Sequence, residues 1–83
     1  MNKLQNYRLR IDKIDSKIIS LIRKREKIIG KIGLIKAKDK IQIHDKKREK
    51  YIFSGLNTDF EREVFKTILN ESKKMQRRDL TER

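Results

Sequence analysis

Eighty-three residues set the length of one small domain, and at 35% hydrophobic against 43% charged they cannot enclose a large core unaided, so a multi-domain enzyme is excluded and self-association is expected. The absence of cysteine and the single histidine, His44, exclude a disulfide framework, thiol chemistry and any usual zinc site, so no metal is expected. Lysine and arginine number 24 against 12 acids, a net charge of +12 that draws anions of any kind, leaving nucleic acid, acidic membrane and small polyanions all open. The longest charge-free stretch, Tyr51–Thr58, has eight residues, far short of the ~20 that span a bilayer. No apolar signal region opens the chain, so a cytoplasmic protein with no membrane partner is expected. With no proline and three glycines the punctuation of a multi-stranded sheet is missing, and the chain reads as all-α.

The first element is long. Leu4, Ile11, Ile18, Arg25 and Ile32 form one column, and Tyr7, Ile14, Leu21, Ile28 and Ile35 another, the a and d positions of nearly five heptads. Asn2 with Gln5 caps the start, and no strong stop precedes Lys38-Asp39-Lys40, so the spacing predicts a helix over about 3–38, roughly 54 Å long. A rod of that length cannot fold back on itself and must bury its stripe against shorter helices, a second copy, or both.

A short helix is predicted over about 45–54, with Asp45 at its positive N-terminal end and Gly55 as its stop; its apolar residues are Tyr51, Ile52 and Phe53. Thr58 and Glu61 then match a capping box and open a third helix, about 59–78, whose inner face is Val64, Phe65, Ile68 and Leu69. The polar residues Asp79–Arg83 are expected to fray.

Several residues break the apolar pattern. Arg25 is the one charge in the seam; it needs an anion or a hydrogen-bonding partner, or else it sets register and snorkels to solvent. Arg8 and Lys36 occupy the column beside the seam, so three cations line one side of a greasy rod. Arg8 lies about 25 Å from Arg25 on a straight helix, too far to share one small ligand within a chain, whereas an antiparallel partner could return its own Arg8 to Arg25. In the second helix Asp45, Arg48 and Glu49 share one face, where pairing among themselves is the plain explanation. On the third, the face of Phe65, Ile68 and Leu69 continues into Ser72 and Gln76, so apolar becomes hydrogen-bonding along one line unless the helix end simply frays. His44 has no companion ligand, Ser16, Ser20 and Ser54 have no base at motif spacing, and Gly30, Gly33 and Gly55 fit no phosphate-binding loop, so hydrolase, kinase and dehydrogenase readings fail.

Taken in order, Arg8, Arg25, Lys36, Asp45, Arg48, Glu49, Ser72 and Gln76 resemble the active-site set of the all-helical, type II chorismate mutases, the AroQ class. The likeness runs from about Tyr7 to Gln76. It includes Leu9-Arg10-Ile11-Asp12-Lys13-Ile14-Asp15, the triplet Lys24-Arg25-Glu26, Gly33 three residues before Lys36, and Asp45-Lys46-Lys47-Arg48-Glu49. The resemblance implies an intertwined homodimer of three-helix chains, in which the long helices pair and each site borrows an arginine from its neighbour. It implies rearrangement of chorismate, a small dianion, to prephenate in phenylalanine and tyrosine biosynthesis, with no cofactor. Arg25 and a partner's Arg8 would then grip the two carboxylates, with Ser72 assisting. Lys36 and Gln76 would donate to the ether oxygen that gains charge as its C–O bond breaks. Glu49 and Asp45 would face the ring hydroxyl, and Arg48 would hold the charge network. A lyase splitting pyruvate from isochorismate on the same fold is the adjacent reading. A basic module binding nucleic acid is the reading from another class, opposed by cations spread over all three helices, few aromatics and no recognition motif.

Overall fold

The computed structural model describes the backbone of residues 2–81 and the side chains of residues 2–78. Three helices follow one another, α1 (Lys3–Asp39), α2 (Lys46–Ser54) and α3 (Asp59–Thr81), and the described residues include no strand. Each helix opens where a short polar side chain satisfies the first turn. The Asn2 carboxamide accepts from the Gln5 N–H at 2.8 Å, and the Asp45 carboxylate accepts from the Arg48 N–H at 2.9 Å. Asp45 therefore stands just outside α2 as its cap, and the helix begins one residue later than the sequence suggests. At α3 the Thr58 hydroxyl accepts from the Glu61 N–H at 3.1 Å and donates to the Glu61 carboxylate at 2.8 Å, so the capping box forms.

The helix ends are equally local. α1 closes at Lys40 in the left-handed region (φ 56°, ψ 40°), a conformation that costs a non-glycine residue about 1–2 kcal/mol. The N–H groups of Lys40 and Ile41 both return to the Lys36 carbonyl. Gly55 ends α2 at φ −89°, in the right-handed region, so it serves as a stop without using glycine's special freedom. α3 keeps helical backbone to Thr81, past the expected end near Arg78. Glu82 and Arg83 lie outside the described residues.

α3 packs along the second half of α1, and α2 packs on α3. On α1 every residue from Lys3 to Lys24 is exposed, and burial begins at Arg25 and continues through Ile29, Ile32, Gly33 and Lys36. Facing α3 are thus parts of the seam and of the column beside it, while Ile28 and Ile35 stay 57% and 55% exposed. On α3 the packed face is Phe65, Ile68, Leu69, Ser72 and Gln76; Val64, expected inside, is 41% exposed because the face is turned one residue away from it. Within one chain the shorter helices therefore cover only part of the stripe. Leu4, Tyr7, Ile11, Ile14, Ile18 and Leu21 are each 47–61% exposed. The radius of gyration is 16.5 Å, against about 12 Å for a compact chain of this length, and the long dimension of 56 Å is that of α1 itself.

Candidate active site

Where α3 crosses the second half of α1, the two helices and α2 enclose a pocket of about 250 Å³. Seven of the eight residues singled out from the sequence line it: Arg25 and Lys36 from α1, Asp45, Arg48 and Glu49 from the start of α2, and Ser72 and Gln76 from α3. Ile29, Ile32, Ile43, Ile52 and Leu69 form its apolar wall. The eighth residue, Arg8, is exposed on the uncovered half of α1 and is not part of the pocket.

Helical spacing explains why these side chains converge. Arg25, Ile29, Ile32 and Lys36 recur at three and four residues, a single face of α1, and Leu69, Ser72 and Gln76 do the same on α3. The Arg25 guanidinium donates to the Ser72 hydroxyl, which donates in turn to the Ile68 carbonyl one turn back at 2.7 Å. Arg25 is accordingly fixed toward α3 and does not snorkel to solvent. Its burial first, and the like charge of Arg48 second, draw the guanidinium below the ordinary arginine value. It stays charged nonetheless, and the opposite charge of an arriving anion would offset both effects.

Ser72 and Gln76 are 6% and 5% exposed, so the alternative that they sit on a fraying end is corrected. Packing against α1 holds that end. The Gln76 Oε1 is buried without a hydrogen-bond partner, an unmet demand inside the pocket wall. Lys36 is steered by the connection between α1 and α2: the left-handed turn at Lys40 is followed by a return of the chain, and the Lys36 ammonium donates to the Ile43 carbonyl at 2.9 Å. Asp45 and Glu49 do not pair with Arg48 in the way helical spacing suggests. The Asp45 carboxylate is the helix cap, the Arg48 guanidinium lies 5.5 Å from the centre of the Tyr51 ring, and the Glu49 carboxylate meets the Lys73 ammonium at 3.1 Å.

Lys73 is the charged pocket residue that sequence reasoning missed. It belongs to the face made by Leu69, Ser72 and Gln76, one residue beyond Ser72, and extending that face by helical period would have included it. Beside the pocket, a second cleft of about 440 Å³ runs between α1 and α3 toward the N-terminal half of α1, sharing Arg25, Ile29 and Ser72 with the first. Chemically the pocket offers clustered cations, neutral hydrogen-bonding groups and an apolar wall, suited to orienting a small organic anion. No group of side chains able to hold a metal ion occurs among the described residues, and none of their helices is long and apolar enough to cross a membrane.

Comparison with known proteins leads to the same place. The family profile for chorismate mutase type II matches residues 7–77. A chorismate mutase of Methanocaldococcus jannaschii is 30% identical over 91 residues, covering 99% of this chain and 92% of the relative. Bifunctional chorismate mutase/prephenate dehydratases are 42% identical over 56 residues in Aquifex aeolicus and 32% over 80 in Buchnera aphidicola. Those matches take in 68% and 86% of this chain but span only 16% and 21% of the two longer relatives. No solved structure gives a significant match. The matched span contains all three helices except the first turn of α1 and the last residues of α3, and the chain belongs to the type II chorismate mutase family.

Proposed function

We propose that residues 1–83 form a single chorismate mutase domain and that the chain works as a cytoplasmic homodimer, converting chorismate to prephenate as an isomerase. The observation that carries this is the gathering of Arg25, Lys36, Arg48, Ser72 and Gln76 around one half-apolar pocket. The rearrangement is unimolecular and forms no covalent bond to protein, so what a site contributes is a compact conformer and donors aimed at the oxygen that gains charge. Lys36 and Gln76 are assigned to that ether oxygen; each such donor contributes about 10²–10³ in rate in comparable sites. Arg25 with Ser72 takes one carboxylate, Glu49 and Asp45 the ring hydroxyl, and Arg48 steadies the charges.

The second carboxylate is assigned to the partner's Arg8. Support comes from what one chain leaves undone. Six apolar residues of the stripe before Arg25 are about half exposed, more than an isolated small protein leaves open in one line. The cleft beside Arg25 opens toward that bare half, so a second α1 lying along it would cover the stripe and complete the pocket together. The purified protein incubated with chorismate should yield prephenate. Inertness toward chorismate with release of pyruvate from isochorismate would instead favour the lyase, and a folded dimer inert toward both would refute the enzyme reading.

A further inference from the structure

Within the pocket wall, Glu49 of α2 and Lys73 of α3 form an ion pair at 3.1 Å, their side chains 25% and 15% exposed. The ion pairs Arg62–Asp59 and Lys74–Glu71, by contrast, each join residues three apart on α3. Both partners line the pocket. We propose that Lys73 is a positioning residue of this site, which holds the Glu49 carboxylate in place and cancels its charge as seen by a dianionic substrate. The inference rests on the mutase reading above, since it takes the substrate to carry two carboxylates.

The reason is electrostatic. An acid unpaired in a half-buried pocket would repel each carboxylate of the substrate over a few ångströms with little screening. Glu49 accepts from a ring hydroxyl most strongly as a carboxylate, so the charged acid is useful and its field is harmful. Lys73 resolves the conflict by leaving the acceptor oxygens in place and bringing the pair to zero net charge. The same salt bridge ties α2 to α3 across the pocket, which fixes where the acceptor stands. Because neutralisation acts alike on bound substrate and transition state, its loss should appear in KM more than in kcat.

Charge arithmetic makes the test specific. The wild-type pair carries no net charge, Lys73→Met leaves −1, Glu49→Gln leaves +1, and the two substitutions together return to zero. Lys73→Met should raise KM for chorismate about tenfold with kcat within about threefold of wild type, and Lys73→Arg, which keeps the charge, should restore KM. Adding Glu49→Gln to Lys73→Met should bring KM back to within about threefold of wild type while kcat falls for want of the charged acceptor. A bridge serving stability alone would lower the melting temperature of Lys73→Met and leave its KM unmoved. A KM unchanged in Lys73→Met, or one still raised in the double variant, overturns the inference while an active wild type leaves the mutase reading standing. A wild type inert toward chorismate removes both.

Discussion

Replacing Arg25 by Met keeps an aliphatic stem and removes the guanidinium. If that group grips a substrate carboxylate with two charge-assisted hydrogen bonds, each contributing about 1.5–3 kcal/mol, the gross loss is about 3–6 kcal/mol. Part is offset, because the free protein bears the burial of Arg25 and its repulsion by Arg48 and the variant is relieved of both. A net loss of about 3–4 kcal/mol corresponds to a fall in kcat/KM of about 10²–10³. Stability should behave differently. The variant loses the bond from Arg25 to Ser72, but the Ser72 hydroxyl keeps its own bond to the Ile68 carbonyl. The melting temperature should therefore stay within about 5 °C, the span of roughly 1 kcal/mol in a protein of this size. Steady-state conversion of chorismate, followed beside thermal unfolding by circular dichroism, separates the two effects. A folded Arg25→Met dimer with kcat/KM within tenfold of wild type would refute the assignment, and a large drop in melting temperature would make Arg25 a structural residue.

Sharing of sites between chains can be read from mixtures. Arg8→Ala and Arg25→Met should each be nearly inactive, yet unfolding and refolding them together should recover about a quarter of wild-type activity, since half the dimers are mixed and each has one intact site. Recovery at the level of the single variants would sink the borrowed arginine. Activity should be nearly flat from about pH 5 to 8 because Gln76 is a neutral donor. Arg25 adds no slope there: a base whose folded value is lowered favours its neutral form, so any stability gain appears only as pH rises toward the arginine range. Gln76→Glu should replace the plateau by activity that falls with rising pH, as the new carboxyl donates only when protonated; a profile as flat as wild type would remove Gln76 from the ether oxygen. Finally, Thr58→Ala deletes the hydroxyl of the α3 capping box and should cost about 1 kcal/mol of stability by denaturant titration, with kcat unchanged.

The three helices and their starts were legible because the interactions that set them lie within one turn. Asn2 with Gln5, Asp45 with Arg48 and Thr58 with Glu61 are each three residues apart, a spacing that helical geometry alone brings to hydrogen-bonding distance. The heptad stripe of α1 was legible for the same reason, since period is a property of the chain, and the ordered series from Arg25 to Gln76 was legible through its resemblance to the type II chorismate mutases. What only the tertiary structure decided lies between helices. Arg25 turns toward Ser72, 47 residues away, and Gln76 becomes one of the most buried polar groups, although Lys73, Lys74, Arg77 and Arg78 flank it closely in sequence. Helical spacing puts Asp45, Arg48 and Glu49 on one face, where pairing among themselves is the plain expectation, yet the Glu49 carboxylate meets Lys73, which reaches it from α3 across the pocket, while Asp45 is held at the helix start. Val64 was placed inside by its apolar character and lies outside because α3 presents a neighbouring face to α1. Periodicity determines which residues share a face; the rotation at which two faces meet depends on how side chains of both helices interlock, and that is a property of neither sequence segment alone.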